Sequence, residues 1–392
     1  MGIIRIKIYD KSPGLHDGDQ QHMRPKRSIY EDIPLNLRSL LTLSTLPLTA
    51  AALALPSMPT IAADEVNLYS ARKEDLIKPL LDRFTEQTGI QVNLVTGKAD
   101  ALLQRLKSEG INSPADLLLT VDAGNLHRAK EAGVTQPVDS EALTEAIPGN
   151  YRDPDGHWFG LSLRARPILY VEGQVDPSLL STYEALAGPD WKGRICIRSS
   201  DNVYNQSLVA SMISADGAEA AEAWAEGIVA NMARPPKGGD RDQIKAAAAG
   251  QCDIAIANTY YLAGMLESSD AGEREPAQKM AVFWPNQAAN NQAAAGGTPT
   301  EARGVHVNVS GAAVTKGAKH KDAAITLMEY LASPESQSWY AATNGEYPVR
   351  KGVEISPVLA EWGSFQADDL NLDQLGALNG EAVRIMDRAG WK

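Results

Sequence analysis

Gln251-Cys252-Asp253-Ile254-Ala255-Ile256-Ala257-Asn258-Thr259-Tyr260-Tyr261 is the stretch on which the reading of this 392-residue chain turns. The apolar, β-branched run over 251–257 follows Gly250 and has the length and composition of a strand covered on both faces of its sheet. Two phenols stand where that strand runs out. In open α/β sheets ligands sit beyond the carboxyl ends of strands, so the pair lies where a site is expected. Adjacent tyrosines are also common packing at the rim of a core, and taken alone the pair leaves both readings open.

Outward from this stretch, the chain is long enough for two domains of ordinary size. Its 44% hydrophobic and 22% charged residues are those of a globular protein rather than a disordered or membrane-embedded one. A net charge of −12 argues against a nucleic-acid partner, whose phosphates require clustered Lys and Arg. Near the N-terminus, Arg24, Lys26, Arg27 and Arg38 precede an apolar segment over 40–55, and Thr60-Ile61-Ala62-Ala63 closes it with small residues. These are the parts of a secretory leader. Pro47, Pro56 and Pro59 keep the run below the roughly 20 unbroken apolar residues of a membrane span. Cleavage at Ala62 or Ala63 releases a chain that begins close to Asp64, and Met23 could serve as the true start. Residues 1–63 are therefore set apart from the fold as a removed extension. They hold seven of the 37 basic and five of the 49 acidic residues, which leaves the exported portion at −14. In an oxidising compartment, Cys196 and Cys252, the only two cysteines, form a disulfide on the economical reading; two buried thiols are the alternative.

Read in order, the exported portion opens with a strand over 66–72, a helix over 75–88 closed by Gly89, a strand over 90–95, a helix over 99–109 and a strand over 115–120. Such alternation means parallel pairing through crossovers. A helix over 125–131 follows. The extended run 158–170 carries the chain out of this first lobe into a second α/β unit. That unit has a strand over 194–198, helices over 204–214, 218–230 and 240–249, and the strand of the opening stretch. Asp240-Arg241-Asp242-Gln243 reads as a capping box in which Asp240 accepts backbone N–H groups and Gln243 reaches back. Residues 285–303 are rich in Ala, Asn, Gln and Gly and read as a mobile surface loop. A period-two strand over 304–311, a helix over 321–331 and a terminal helix over 375–388 complete the chain. The expectation is an α/β fold of two lobes with an interlobe cleft: 64–165 with 304–345 in one, 166–303 with 346–392 in the other.

Catalytic patterns are missing from the sequence. It has no Gly-x-Ser-x-Gly elbow, no phosphate-cradling loop, no His-Glu-x-x-His and no Cys-x-x-Cys. Each histidine stands alone; His127 reads as solvated and His306 as a hydrogen-bonded strand residue, so an imidazole metal site lacks support. Oxygen donors are better placed. Tyr204 lies eight residues after Cys196 and Tyr260 eight after Cys252, so a Cys196–Cys252 bridge would hold two strands side by side with a tyrosine beyond each. Tyr204, Tyr260 and Tyr261 could then converge on one point of the cleft. Three phenolates are a hard, anionic oxygen set that suits a hard trivalent cation, and metal binding would displace protons from groups whose ordinary pKa is about 10. Iron(III) is the natural candidate.

Four segments together resemble the periplasmic ferric-iron-binding proteins of ABC transporters: Val66-Asn67-Leu68-Tyr69-Ser70-Ala71-Arg72, the run from Cys196 through Tyr204 to Ser207, Ala257-Asn258-Thr259-Tyr260-Tyr261, and His306-Val307-Asn308-Val309-Ser310-Gly311. The resemblance spans essentially the whole exported portion. It implies a two-lobe, transferrin-like (type II) periplasmic binding fold with a hinge of crossing strands. It further implies Tyr204, Tyr260 and Tyr261 as phenolate ligands of Fe(III), and a periplasmic monomer that hands iron to an ABC permease and performs no catalysis. Some members place a histidine ligand shortly after the first strand, where this chain has Arg72-Lys73-Glu74, so no histidine is carried over. Others use an arginine there to hold a synergistic carbonate, a role Arg72 fits through its paired donors; a surface ion pair with Glu74 or Asp75 is the alternative. Asp122 matches a carboxylate that some members contribute, though beside Gly124-Asn125 it also reads as a helix cap. The nearest rival is the same fold around an organic cation or an oxyanion, such as a polyamine, thiamine or phosphate compound, with Trp158 and Tyr151 as the stacking aromatics. An exported hydrolase or lyase using a tyrosine base is the rival from another class, and it lacks the surrounding constellation.

Overall fold

A computed structural model describes residues 64–288 and 302–392. The leader assigned to 1–63 and the centre of the polar 285–303 segment lie outside the described residues.

Alternation from residue 64 onward builds β1 (Glu65–Ser70), the helix Lys78–Thr88, β2 (Gln91–Thr96), the helix Ala99–Glu109 and β3 (Leu117–Val121). Gly89 ends the first helix in the left-handed conformation (φ 75°), which a residue without Cβ adopts at little cost, and its N–H donates to the Thr85 carbonyl. Strand β1 lies between β2 and β3 and pairs with both in parallel, as strand–helix–strand connections dictate. Next come β4 (Phe159–Ala165), buried at every position, and β5 (Ile168–Val171). The second unit adds β6 (Ile195–Cys196), β7 (Ile254–Ile256) and β8 (Met280–Phe283); β9 (Val307–Val314) then follows. Two sheets result, ordered β2-β1-β3-β9-β4 and β6-β7-β5-β8. The chain passes from one sheet to the other within Arg166-Pro167, where proline has no N–H to continue a ladder. This is the two-lobe architecture expected. Among the described residues no helix is long and apolar enough to cross a membrane.

Several local expectations change. The opening strand is shorter than 251–257, because Cys252 and Asp253 precede the ladder and β7 covers only Ile254–Ile256. The capping box shifts by one residue: Gly239 is the N-cap, its N–H donates to Asp242 Oδ2 at 2.6 Å, and Asp240 and Gln243 are used elsewhere. Strand β9 runs on to Val314, since Ala312, Ala313 and Val314 are small enough to pack at full burial. The terminal helix divides into Asp373–Ala377 and Asn379–Arg388 around Leu378. The described ends of the 285–303 segment are anchored, not loose: Asn286 is buried and accepts from the Tyr183 N–H at 3.0 Å, and Arg303 pairs with Asp368 and Glu184. His127 is not solvated either. Its Nδ1 lies 2.8 Å from Asp373 Oδ1, and that hydrogen bond raises the imidazole pKa against the opposing effect of burial.

The disulfide is present. Cys196 in β6 and Cys252 just ahead of β7 are bonded with Cα atoms 5.9 Å apart, and both are buried. β6 and β7 run parallel, so the bond ties two strands whose carboxyl ends point the same way. Closing a loop over a sequence separation of 56 restricts the unfolded chain. Replacing both cysteines by alanine is expected to lower unfolding stability by about 2–4 kcal/mol in a denaturant titration, and an unchanged midpoint would contradict this role.

Candidate metal centre

The residues singled out from the sequence lie just beyond the carboxyl ends of strands: Arg72 after β1, Asp122 after β3, Tyr204 in the first helical turn after β6, and Tyr260 and Tyr261 in the first turn after β7. Beyond β6, Asn202 caps the helix Val203–Asp216 by accepting from the Tyr204 N–H at 3.1 Å. Beyond β7, Asn258 is the N-cap of the helix Thr259–Leu266. All three phenols thus occupy helix N-termini, where the partial positive charge of unpaired backbone N–H groups favours an anion by about 0.3–1 kcal/mol. This second helix has no periodic signature of its own in the sequence, being apolar on every side.

The three phenols line one cleft of about 610 Å³ together with Arg72, Arg164 and Glu346. The Tyr260 and Tyr204 hydroxyls are 3.1 Å apart and hydrogen-bonded, and the Tyr261 ring packs on Tyr260 with centroids 4.3 Å apart. The sequence-predicted set is therefore brought together. Burial, ahead of the neighbouring phenols, pushes the Tyr204 and Tyr260 hydroxyls well above the ordinary phenol pKa, while Arg164 pulls both the other way. Both groups are accordingly protonated at neutral pH as the protein stands. Gly345 lets a neighbouring segment close on this wall: its φ is 60°, and a Cβ there would come within 2.8 Å of the Ala263 Cβ. Among the described residues no group of three or more His, Cys, Asp or Glu side chains could hold a metal ion. The clustered oxygen donors are the three phenols, while the Glu346 carboxylate in the same cleft is paired with Arg72.

Arg72 lies in the cleft but not as a surface residue paired with Glu74 or Asp75. It is buried, donates to Glu346 Oε2 at 2.5 Å and to Ser162 Oγ at 3.2 Å, and its Nε has no partner among the described residues. Burial lowers its pKa, but Glu346 more than compensates and the guanidinium stays charged. Asp122 takes the cap role. Its side chain accepts from the Gly124 N–H at 3.0 Å, and also from Arg164, Ser207 and Asn308 at 3.2, 2.8 and 2.9 Å. Those contacts hold its backbone at φ 78°, a conformation costly for a residue with a side chain. Asp122 Oδ1 and Oδ2 are thereby occupied, and it does not line the cleft. His306 is buried with a pKa held well below normal by burial and by Arg303, Arg166 and Arg164, so it is neutral and not a cleft residue. Trp158 is fully buried with Nε1 donating to Asp373, which removes the aromatic platform a rival organic ligand would have used.

Residues missed from the sequence are mainly charged. Arg164 lies 5.3 Å over the Tyr204 ring, with Nη1 unpartnered among the described residues, and Arg198 lies 5.6 Å over the same ring. A signal existed: Arg164 and Arg166 interrupt an otherwise apolar extended run, and arginine in a fully covered strand needs buried partners. Glu346 had no signal, being 274 positions from the arginine it neutralises.

Comparisons with known proteins bear on the family. The family model for bacterial extracellular solute-binding proteins matches residues 79–367. Iron uptake protein A1 of Synechocystis sp. is 50% identical over 328 residues, covering 84% of this chain and 88% of that protein. Among solved structures, Trichodesmium FutA (IdiA) in complex with iron and citrate ligands superposes with a TM-score of 0.78 at 51% identity, over 84% of this chain and 100% of that one. Mannheimia haemolytica ferric iron-binding protein A in an open conformation gives 0.75 at 38% identity, over 84% and 99%. With relatives of this kind along almost their whole length, the chain belongs to the bacterial extracellular solute-binding proteins, among their periplasmic ferric-iron-binding members.

Proposed function

We propose that this protein captures Fe(III) through the phenolate oxygens of Tyr204, Tyr260 and Tyr261 and delivers it to an ABC permease. The observation that carries the reading is the meeting of three phenols on one cleft wall, two of them 3.1 Å apart at the hydroxyls. A chain half identical to an iron uptake protein supports the choice of cargo. Phenolate is a hard donor and Fe(III) a hard acceptor, and three phenolates match its charge. The site works as an exchange. Burial keeps the Tyr204 and Tyr260 hydroxyls protonated until a trivalent cation replaces their protons, so uptake releases protons and weakens as pH falls. Arg164, the two helix N-termini and the nearby Arg198 make that deprotonation less costly than burial alone would.

Completing the coordination falls to an anion. Carbonate held by Arg72 is the proposal, and it has to share the guanidinium with Glu346; Arg164, which also lines the cleft, adds a further guanidinium whose Nη1 has no partner among the described residues. Residues 64–165 with 304–345 move as one lobe and 166–303 with 346–392 as the other, hinged at Arg166-Pro167 and at the return into β9. The protein acts as a periplasmic monomer after removal of 1–63, and it performs no reaction on its cargo.

Two measurements test this reading. Adding ferric citrate to the purified protein is expected to produce a broad visible phenolate-to-iron charge-transfer band. Tyr260→Phe should weaken binding by more than the roughly 10–100-fold typical of losing a mere supporting partner. A colourless mixture would contradict the reading, as would a variant that binds like wild type. In the iron-free protein at pH 10, where an ordinary phenol is half ionised, Tyr204→Phe should leave the tyrosinate absorbance near 295 nm unchanged, because the raised pKa keeps that hydroxyl protonated. Loss of half a tyrosinate equivalent would show an ordinary phenol instead.

A further inference from the structure

Beneath the phenols lies a buried ion pair that touches both segments bearing them. Arg166 is 1% and Asp240 0% exposed in their side chains, and Arg166 Nη1 lies 2.7 Å from Asp240 Oδ1. The same Nη1 donates to Asn258 Oδ1 at 3.0 Å, and Nη2 donates to Asn205 Oδ1 at 2.7 Å. Asn205 directly follows Tyr204, and Asn258 stands two residues before Tyr260. Asp240 answers from the other side: Oδ1 accepts from the Asn258 N–H at 3.0 Å, and Oδ2 accepts from Arg198 Nη1 at 2.6 Å. Asn205 Nδ2 in turn donates to the Arg198 and Ser199 carbonyls. Beyond the ion pair itself, each of these side-chain contacts is made to a segment that leads into a phenol.

The place of Arg166 adds a second coupling. It sits in the two-residue passage between the sheets, its N–H donates to the His306 carbonyl at 3.0 Å, and its own carbonyl accepts from the Tyr183 hydroxyl at 2.8 Å. The return strand reaches the same hydroxyl, where the His306 N–H donates at 3.2 Å. Both crossings are thereby tied to the residue that grips the two tyrosine segments.

The geometry points to Arg166 and Asp240 as positioning residues of the cargo site, a buried pair that sets the spacing and orientation of the Tyr204 segment against the Tyr260 segment. Neither lines the cleft. The disulfide fixes the strands behind the site, and this pair fixes the helix starts that carry the oxygens. Its action is through Asn205 and Asn258, whose side chains bond to Arg166 instead of to solvent. The inference rests on the ferric reading of the site.

Three variants test it in the full exported protein: Asp240→Asn, Arg166→Met, and as a control Asp253→Asn, whose partner Arg194 lies 2.5 Å away, both residues standing just ahead of β6 and β7, at the strand ends opposite the phenols. Ferric affinity is read by competition with nitrilotriacetate, the site geometry by the position of the charge-transfer band, and the iron-free phenols by near-ultraviolet circular dichroism. Asp240→Asn and Arg166→Met are each expected to weaken ferric binding by about 10–100-fold and to move the band and the tyrosine dichroism, while Asp253→Asn changes none of these. Should Asp240→Asn fail to fold, Arg166→Met decides, because there Asp240 keeps Arg198 and the Asn258 N–H. Folded variants with wild-type affinity, band and dichroism, or with only a lowered melting temperature, would overturn the positioning role. Wild-type protein that takes up no iron would instead overturn the reading of the site itself.

Discussion

Two phenol oxygens held 3.1 Å apart in a half-buried cleft cannot both ionise unless a cation lies close to them. The rest of the structure is organised around that constraint. As neutral groups the hydroxyls satisfy each other with one hydrogen bond; as phenolates they would repel at close range in a region poorly screened by water. A trivalent ion removes the conflict, and weaker cations or plain water do so less well. On the proposed reading, selectivity of the cleft for a hard, highly charged metal would follow from spacing and burial, before any partner protein is considered.

Holding that spacing takes several independent devices. The Cys196–Cys252 bond fixes the parallel neighbours β6 and β7, and the Arg166–Asp240 pair grips the chain just beyond each of those strands. Behind the cleft, Asp122 links Arg164 on β4 to Ser207 on the helix that carries Tyr204. Arg72 and Glu346 form another pair across 274 positions of sequence. Buried ion pairs of this kind contribute little net stability relative to apolar packing, because desolvation offsets their attraction. Their concentration around one cleft makes better sense as control of geometry and of local charge.

How much of this the sequence disclosed depends on the range of the interaction. Local periodicity located β1, β2 and the helices Ala99–Glu109 and Lys321–Leu331 to within a residue or two. The strand run before Asn258 and the matched spacing from each cysteine to its tyrosine allowed Tyr204, Tyr260 and Tyr261 to converge, and the resemblance to ferric-iron-binding proteins named them as one ligand set. Long-range pairing of charge stayed hidden. Asp240 looked like a helix cap because an acidic residue at a helix start usually is one; here tertiary contacts with two arginines override the local role, Gly239 becomes the N-cap, and Asp242 reaches back to its N–H. His127 looked solvated for the same reason, since Asp373 is 246 positions away. The helix Thr259–Leu266 was missed because a short stretch that is apolar on every side carries no 3.6-residue rhythm.

The position of the bound metal is the most direct test of the phenolate site. Crystals of the iron-loaded protein measured at the iron absorption edge should show one anomalous peak in the cleft, within about 2 Å of the Tyr204, Tyr260 and Tyr261 hydroxyl oxygens, a distance set by hard oxygen donors around a small cation. A peak away from these three oxygens, or no peak in protein that carries stoichiometric iron in solution, would contradict it.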